Sequence, residues 1–194
     1  MQINTDNIAQ QCINAINEKI NNLKRLNIII IGKSGVGKST LINSLFRGNF
    51  AETGLGRPVT QEIRKIVKND YPLTIYDTPG FELSSDQQDN VKNEVIKLIS
   101  DGYSSNDVNK TIHCIWYCIN VGANRTFDSS EVEWLKEFSE KNRNSKVPII
   151  VVLTQSVPRK KALEMKNHVE QENLDICKVV PILARDMDFD EEYV

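Results

Sequence analysis

Gly32-Lys33-Ser34-Gly35-Val36-Gly37-Lys38-Ser39 fits the pattern G-x-x-x-x-G-K-[ST], and its neighbours decide how it is read. Before it, Leu26 to Ile31 is an isoleucine-rich run suited to a central strand buried on both faces. After it, Lys38 to Phe46 resumes helical spacing. A strand, a glycine-rich turn and a helix in that order converge successive backbone N–H groups and the positive end of the helix on one point, which makes a phosphate cradle. The backbone of Gly32, Lys33, Ser34, Gly35, Val36 and Gly37 forms the cradle. Lys38 reaches the β- and γ-phosphates, the Ser39 hydroxyl is offered to Mg²⁺, and Thr40 donates to the α-phosphate.

A second piece follows the short strand Leu73 to Tyr76. Taken alone, Asp77-Thr78-Pro79-Gly80 reads as a proline turn with aspartate in first position. Downstream of the cradle it reads as the other half of a nucleoside triphosphate site. An aspartate at a strand's carboxyl end holds Mg²⁺ through water, and the Gly80 N–H touches the γ-phosphate and registers its loss.

Outward from these motifs the chain alternates. Residues 8–23 have apolar positions at helical spacing, an amphipathic opening helix, and residues 47–60 are broken by glycine and proline into an extended loop. Residues 62–68 alternate as an edge strand. Polar residues 82–90 lead into a helix near 91–100, and 111–120 form an apolar core strand. Asp128 caps a helix running to about Glu140 whose buried face is Val132, Leu135 and Phe138. Residues 149–153, 159–172 and 178–183 read as strand, helix and strand. The pattern predicts one doubly wound α/β domain, a mostly parallel six-stranded sheet with helices on both faces.

Composition agrees. The 194 residues are 40% hydrophobic and 26% charged, enough for one core without a disulfide or metal staple. A net charge of -2 gives no global attraction to nucleic acid or anionic lipid. The apolar runs are far shorter than the roughly 20 residues that span a bilayer, and the N-terminus lacks the basic and apolar regions of a secretory signal, so a cytoplasmic location is expected. Cys12, Cys114, Cys118 and Cys177 have no metal-ligand spacing and read as buried free thiols. His113 and His168 read as structural, and Trp116, Tyr117 and Trp134 as core aromatics. Arg125 and the run Arg159-Lys160-Lys161 read as solvated.

At the two phosphate motifs the sequence resembles the P-loop GTPases, in the Era, TrmE and septin-like branch that includes the HSR1-related, 50S ribosome-binding GTPase-like proteins, from Asn27 to Arg185. The resemblance implies a Mg²⁺-dependent switch that binds GTP and GDP and hydrolyses GTP slowly. It makes residues 54–62 the first switch, with Thr60 closing over Mg²⁺ and the γ-phosphate and Thr53 in reserve. Ser39, Thr60 and Asp77 would then be the metal residues, and Lys38, Thr60 and Gly80 the catalytic ones. Thr154-Gln155-Ser156-Val157 stands where the family carries N/T-K-x-D, so Thr154 fits and the stem of Gln155 covers the base, but Val157 replaces the carboxylate that pairs with guanine. Ala184, in the place of the family's S-A-K, would offer its N–H to a base carbonyl.

Phe81 stands where Ras-like proteins have the water-orienting glutamine, which implies slow turnover. Gly35 replaces the asparagine of potassium-activated members, so potassium dependence is not expected. Two other readings stay open: a nucleotide-binding scaffold that does not hydrolyse, from Phe81, and an NTPase or ATPase with relaxed base choice, from Val157. The family implies an effector protein, a second copy of the chain, or RNA or the ribosome as partner. Residues 1–25 are expected to be the amphipathic helix, 26–185 the G domain and 186–194 an acidic tail. Family members close with a helix that is not evident here, so either the opening helix of residues 8–23 covers that face or, the preferred expectation, the chain is the G-domain portion of a longer protein.

Overall fold

A computed structural model describes residues 25–48, 50–51, 62–68, 71–80, 85–122 and 127–184, together with Asn14. The isoleucine run becomes β1 (Leu26–Ile31), and the helix after the glycine-rich turn is α1 (Lys38–Phe46). Then come β2 (Arg64–Val67), β3 (Leu73–Asp77), α2 (Ser85–Ser104), β4 (Cys114–Asn120), α3 (Ser129–Asn142), β5 (Ile149–Thr154), α4 (Arg159–Gln171) and β6 (Lys178–Pro181). Among the described residues one six-stranded sheet forms in the order β2-β3-β1-β4-β5-β6. β2 runs antiparallel to β3, and the remaining neighbours are parallel. The α/β expectation therefore holds.

Strand side chains alternate between faces, and β1 shows the consequence. Ile29 and Ile31 join Tyr117 and Leu153 in a core that takes in Val95 of α2, Phe138 of α3 and Val169 of α4. Ile28 and Ile30 point the other way and pack with Cys118, Ile75 and Ile42 of α1. Phe138 is fully buried and stacks on Trp134, ring centroids 5.0 Å apart. Phe138→Ala is expected to cost about 3–5 kcal/mol of folding stability, read from urea unfolding.

Several boundaries differ from the sequence reading, including β2 and β6, which are shorter than the expected 62–68 and 178–183, and the largest shifts are in α2 and β4. The helix expected near 91–100 begins at Ser85 and runs to Ser104. Its apolar stripe, Val91, Val95 and Ile99, starts only in the second turn, while Asp89 and Asn90 are exposed, so hydrophobic periodicity is silent over the first turn. The strand expected from Thr111 starts at Cys114, because Thr111 is held in a turn by bonds from its N–H and hydroxyl to the Asp107 carbonyl. His113 lies one residue before β4. Its N–H donates to the Asn27 carbonyl and its Nδ1 accepts from the Asn27 N–H, each at 2.9 Å.

That bond needs the neutral ring, and burial lowers the His113 pKa from its usual 6.5. Above pH 6.5 both folded and unfolded chains carry it neutral and it costs nothing. Below that, the unfolded chain takes up a proton that the folded one resists, so stability is expected to fall with pH until the folded pKa is passed. His113→Asn should flatten that part of a stability-against-pH curve.

Cys114 and Cys118 are buried free thiols as expected, whereas Cys177 is exposed, in the turn leading into β6. Tyr117 and Trp134 lie in the core, and Trp116 is half-buried. Arg159, Lys160 and Lys161 are exposed. Among the described residues no helix is long and apolar enough to cross a membrane. The expected opening helix (apart from Asn14), Cys12, most of the 47–60 loop, Arg125 and the acidic tail lie outside the described residues.

Candidate functional site

The carboxyl ends of β1 and β3 lie side by side, with Ile30 in register with Asp77. At Ile31 the chain leaves β1 and turns through Gly32, whose φ is 151°. A Cβ there would lie 2.6 Å from the Cys118 carbonyl oxygen, so only glycine lets the turn pass this close to β4. α1 then starts after Gly37 with no side-chain cap and no acidic residue in its first turn. Its leading N–H groups thus keep the polarity that suits an anion.

Lys38 is 8% exposed. Its Nζ donates to the carbonyls of Gly32 at 2.8 Å and Lys33 at 3.1 Å, which places the ammonium within the loop. Burial lowers its pKa, and the nearby Asp77 opposes that fall. The Cys118 thiol itself is pushed up to about 12 by burial, so it stays protonated beside the loop.

The second motif is pinned to the first. Thr78 is fully buried, and its hydroxyl donates to the Ile30 carbonyl at 2.9 Å. The Ser34 hydroxyl donates to the Gly80 carbonyl at 3.1 Å. A Cβ on Gly80 would lie between 2.6 and 2.9 Å from Ser34 side-chain and backbone atoms. Here glycine is required by close approach. The two segments thus touch directly, through a Ser34 side chain that the sequence reading counted only for its backbone.

Asp77 is 1% exposed at the end of β3, while Ser39 sits half-buried in the first turn of α1. A carboxylate and a hydroxyl are hard oxygen donors, the kind Mg²⁺ takes alongside water and phosphate oxygens, so the donor set fits that ion. Thr60 and Thr53, expected over the metal, and Phe81 lie outside the described residues. Among the described residues no group of three or more His, Cys, Asp or Glu could hold a metal.

At the expected base side, Thr154 is buried, and its hydroxyl lies within hydrogen-bonding distance of the carbonyls of Val36 and Ile119. Its proton is spent inside the protein, so Thr154 braces the phosphate loop instead of facing outward. Gln155 is exposed at φ 50°, with its amide oxygen against Gly122. The Ser156 N–H donates to the Ile182 carbonyl at 3.2 Å and the Ile182 N–H to the Leu153 carbonyl at 2.8 Å. Those bonds draw the segment holding Ala184 toward residues 154–157. Val157 is half-buried, where a carboxylate was expected.

Lys33 holds a larger surprise: its side chain is turned away into two carboxylates of α3 and its N-cap, Glu131 and Asp128. No spacing rule connects residues that far apart. His168 is structural, its Nε2 lying 3.3 Å from the Phe127 carbonyl.

Comparison with known proteins bears on the family and the fold. Septin-1 of Drosophila melanogaster is 27% identical, aligned over 86% of this chain and 51% of its own length. The chain thus spans about half the length of the curated relatives it matches first. Among solved structures, a probable GTP-binding protein engB superposes with a TM-score of 0.56 at 24% identity, covering 81% of this chain and 89% of that one. Aquifex aeolicus Era bound to GDP and aluminium fluoride gives 0.57 at 20% identity, covering 83% and 52%. Both likenesses concern the fold. The family described as 50S ribosome-binding GTPase matches residues 27–155, and the chain belongs to it.

Proposed function

We propose that this chain is a Mg²⁺-dependent GTP- and GDP-binding switch that hydrolyses GTP slowly. The observation that supports this most is the buried Lys38 ammonium inside a loop against which Ser34 holds Gly80. The N–H groups of residues 32–37 would take the phosphates, Lys38 the β- and γ-oxygens, and Thr40 the α-phosphate. Ser39 and Asp77, with Thr60, would hold Mg²⁺, which neutralises charge on the β- and γ-phosphates when bound. Water attacks the γ-phosphorus in line, the bond to the bridging oxygen breaks, and Lys38 with the loop N–H groups stabilises the charge that develops. Gly80 and Thr60 would couple the γ-phosphate to movement of their segments.

Phe81 cannot orient water, so a turnover at or below about 10⁻⁴ per second is expected for phosphate release under single-turnover conditions with Mg²⁺-GTP. No release at saturating GTP would leave the scaffold reading instead. Guanine preference rests on the family, the Gln155 stem and the Ala184 N–H. Val157→Asp is expected to raise preference for GTP over ATP at least about tenfold in competition against a fluorescent guanine nucleotide. An unchanged ratio would mean residues 154–157 do not face the base.

The output would be a nucleotide-dependent surface for a protein effector or a second copy of the chain, in the cytoplasm, with RNA or the ribosome as the other partner class that the family implies. Residues 26–185 would form the switch domain of a longer protein.

A further inference from the structure

Lys33 is the second residue of the phosphate loop, and its side chain is 11% exposed. A charge so far from water needs partners. Its Nζ lies 3.3 Å from Asp128 Oδ2 and 3.3 Å from Glu131 Oε2. Both partners are themselves fixed. Asp128 is the N-cap of α3, where Oδ1 accepts from the Glu131 N–H at 3.1 Å and the Ser130 hydroxyl donates to the same oxygen. The Glu131 side chain is 6% exposed, and the Tyr117 hydroxyl of β4 lies 3.4 Å from its Oε1. Burial raises the Glu131 pKa while Lys33 holds it down, as expected for a carboxylate whose charge depends on this lysine.

Lys33 is also tied on its other side. Its carbonyl accepts from Lys38 Nζ at 3.1 Å. One residue therefore meets α3 through its side chain and the phosphate-facing lysine through its backbone. A shift of the first turn of α3 must move the carbonyl on which Lys38 rests, and a pull on Lys38 must be felt at α3.

We propose that the buried pair Lys33 and Glu131, with the exposed N-cap carboxylate of Asp128, forms a clamp that couples the phosphate loop to the first turn of α3, making Lys33 and Glu131 positioning residues for nucleotide binding. The inference rests on the phosphate-loop reading above. Coupling of this kind is reciprocal: whatever orders the first turn of α3 tightens nucleotide binding, and nucleotide orders that turn.

The test measures GDP affinity with Mg²⁺, together with hydrogen exchange at the amides of residues 131–134 with and without GDP. It compares wild type, Lys33→Met, Lys33→Arg, Glu131→Gln and Lys38→Ala. Lys33→Met and Glu131→Gln are expected to weaken GDP at least about fivefold, and Lys33→Arg to recover most of that loss. In wild type, GDP should slow exchange at 131–134, and Glu131→Gln should abolish that slowing. A role in folding alone would lower the melting temperature while leaving the GDP-dependent slowing in place, and this outcome overturns the clamp. So does a Glu131→Gln variant that binds GDP as wild type does. Should Glu131→Gln not fold, Asp128→Asn, which keeps the capping oxygen, is held to the same two readouts. Lys38→Ala separates the premises: if it binds GDP normally, the phosphate-loop reading has failed, whereas if it alone loses affinity, only the clamp has.

Discussion

Lys38→Ala is expected to weaken both GTP and GDP at least about thirtyfold, because removing one partner of a buried charged contact costs about 2–5 kcal/mol. The ammonium is 8% exposed and rests on two carbonyls of the loop, so it is held in place by the loop itself. Ordering its long side chain is already accomplished in the fold, and binding need not repeat that cost. Folding should survive the change, since burying a charged group is itself unfavourable. Titration with a fluorescent nucleotide measures the loss, and a melting curve shows whether the variant remains folded.

Gly80→Ala should act on a different quantity. A methyl group there would lie 2.6 to 2.9 Å from Ser34, including its backbone, so one of the two segments must move. The Ser34 to Gly80 hydrogen bond would be lost or displaced with it. The contacts proposed for the β-phosphate lie on the Lys38 side and should persist, leaving GDP affinity within about threefold of wild type. The donor proposed for the γ-phosphate would be displaced with Gly80, and loss of one such donor costs about a hundredfold in rate. GTP hydrolysis should therefore fall far more than GDP binding, and a non-hydrolysable GTP analogue should bind no tighter than GDP. Equal losses for both nucleotides would mean that Gly80 merely supports the fold.

Local chemistry made much of this legible in advance. Gly32 to Ser39 names its own turn and helix because its glycines, lysine and serine are consecutive, and Asp128 announces a helix start that its side chain then caps by accepting from the Glu131 N–H. The alternating isoleucines of β1 gave the two-faced sheet. Contacts between distant segments were invisible. Ser34 on Gly80, Thr154 on Val36 and Lys33 on Glu131 join residues whose spacing follows no repeat, and each depends on which strands become neighbours. The strand order β3-β1-β4-β5 makes all three. The first turn of α2 shows no such signal for the opposite reason, since residues 85–88 are all polar in sequence and leave no apolar period to read.

The base side separates family from residue. Val157 offers no carboxylate for guanine, and Thr154 spends its hydroxyl on the phosphate loop. On the proposed reading, preference among bases would come from Gln155 and the segment of Ala184, and it is expected to be modest. The most direct measurement of the central claim is one affinity panel of GTP, GDP, ATP and ADP, each with and without Mg²⁺. The switch account predicts that both guanine nucleotides bind more tightly than their adenine counterparts, and that Mg²⁺ strengthens GTP. Equal affinity for GTP and ATP, or binding indifferent to Mg²⁺, would contradict it.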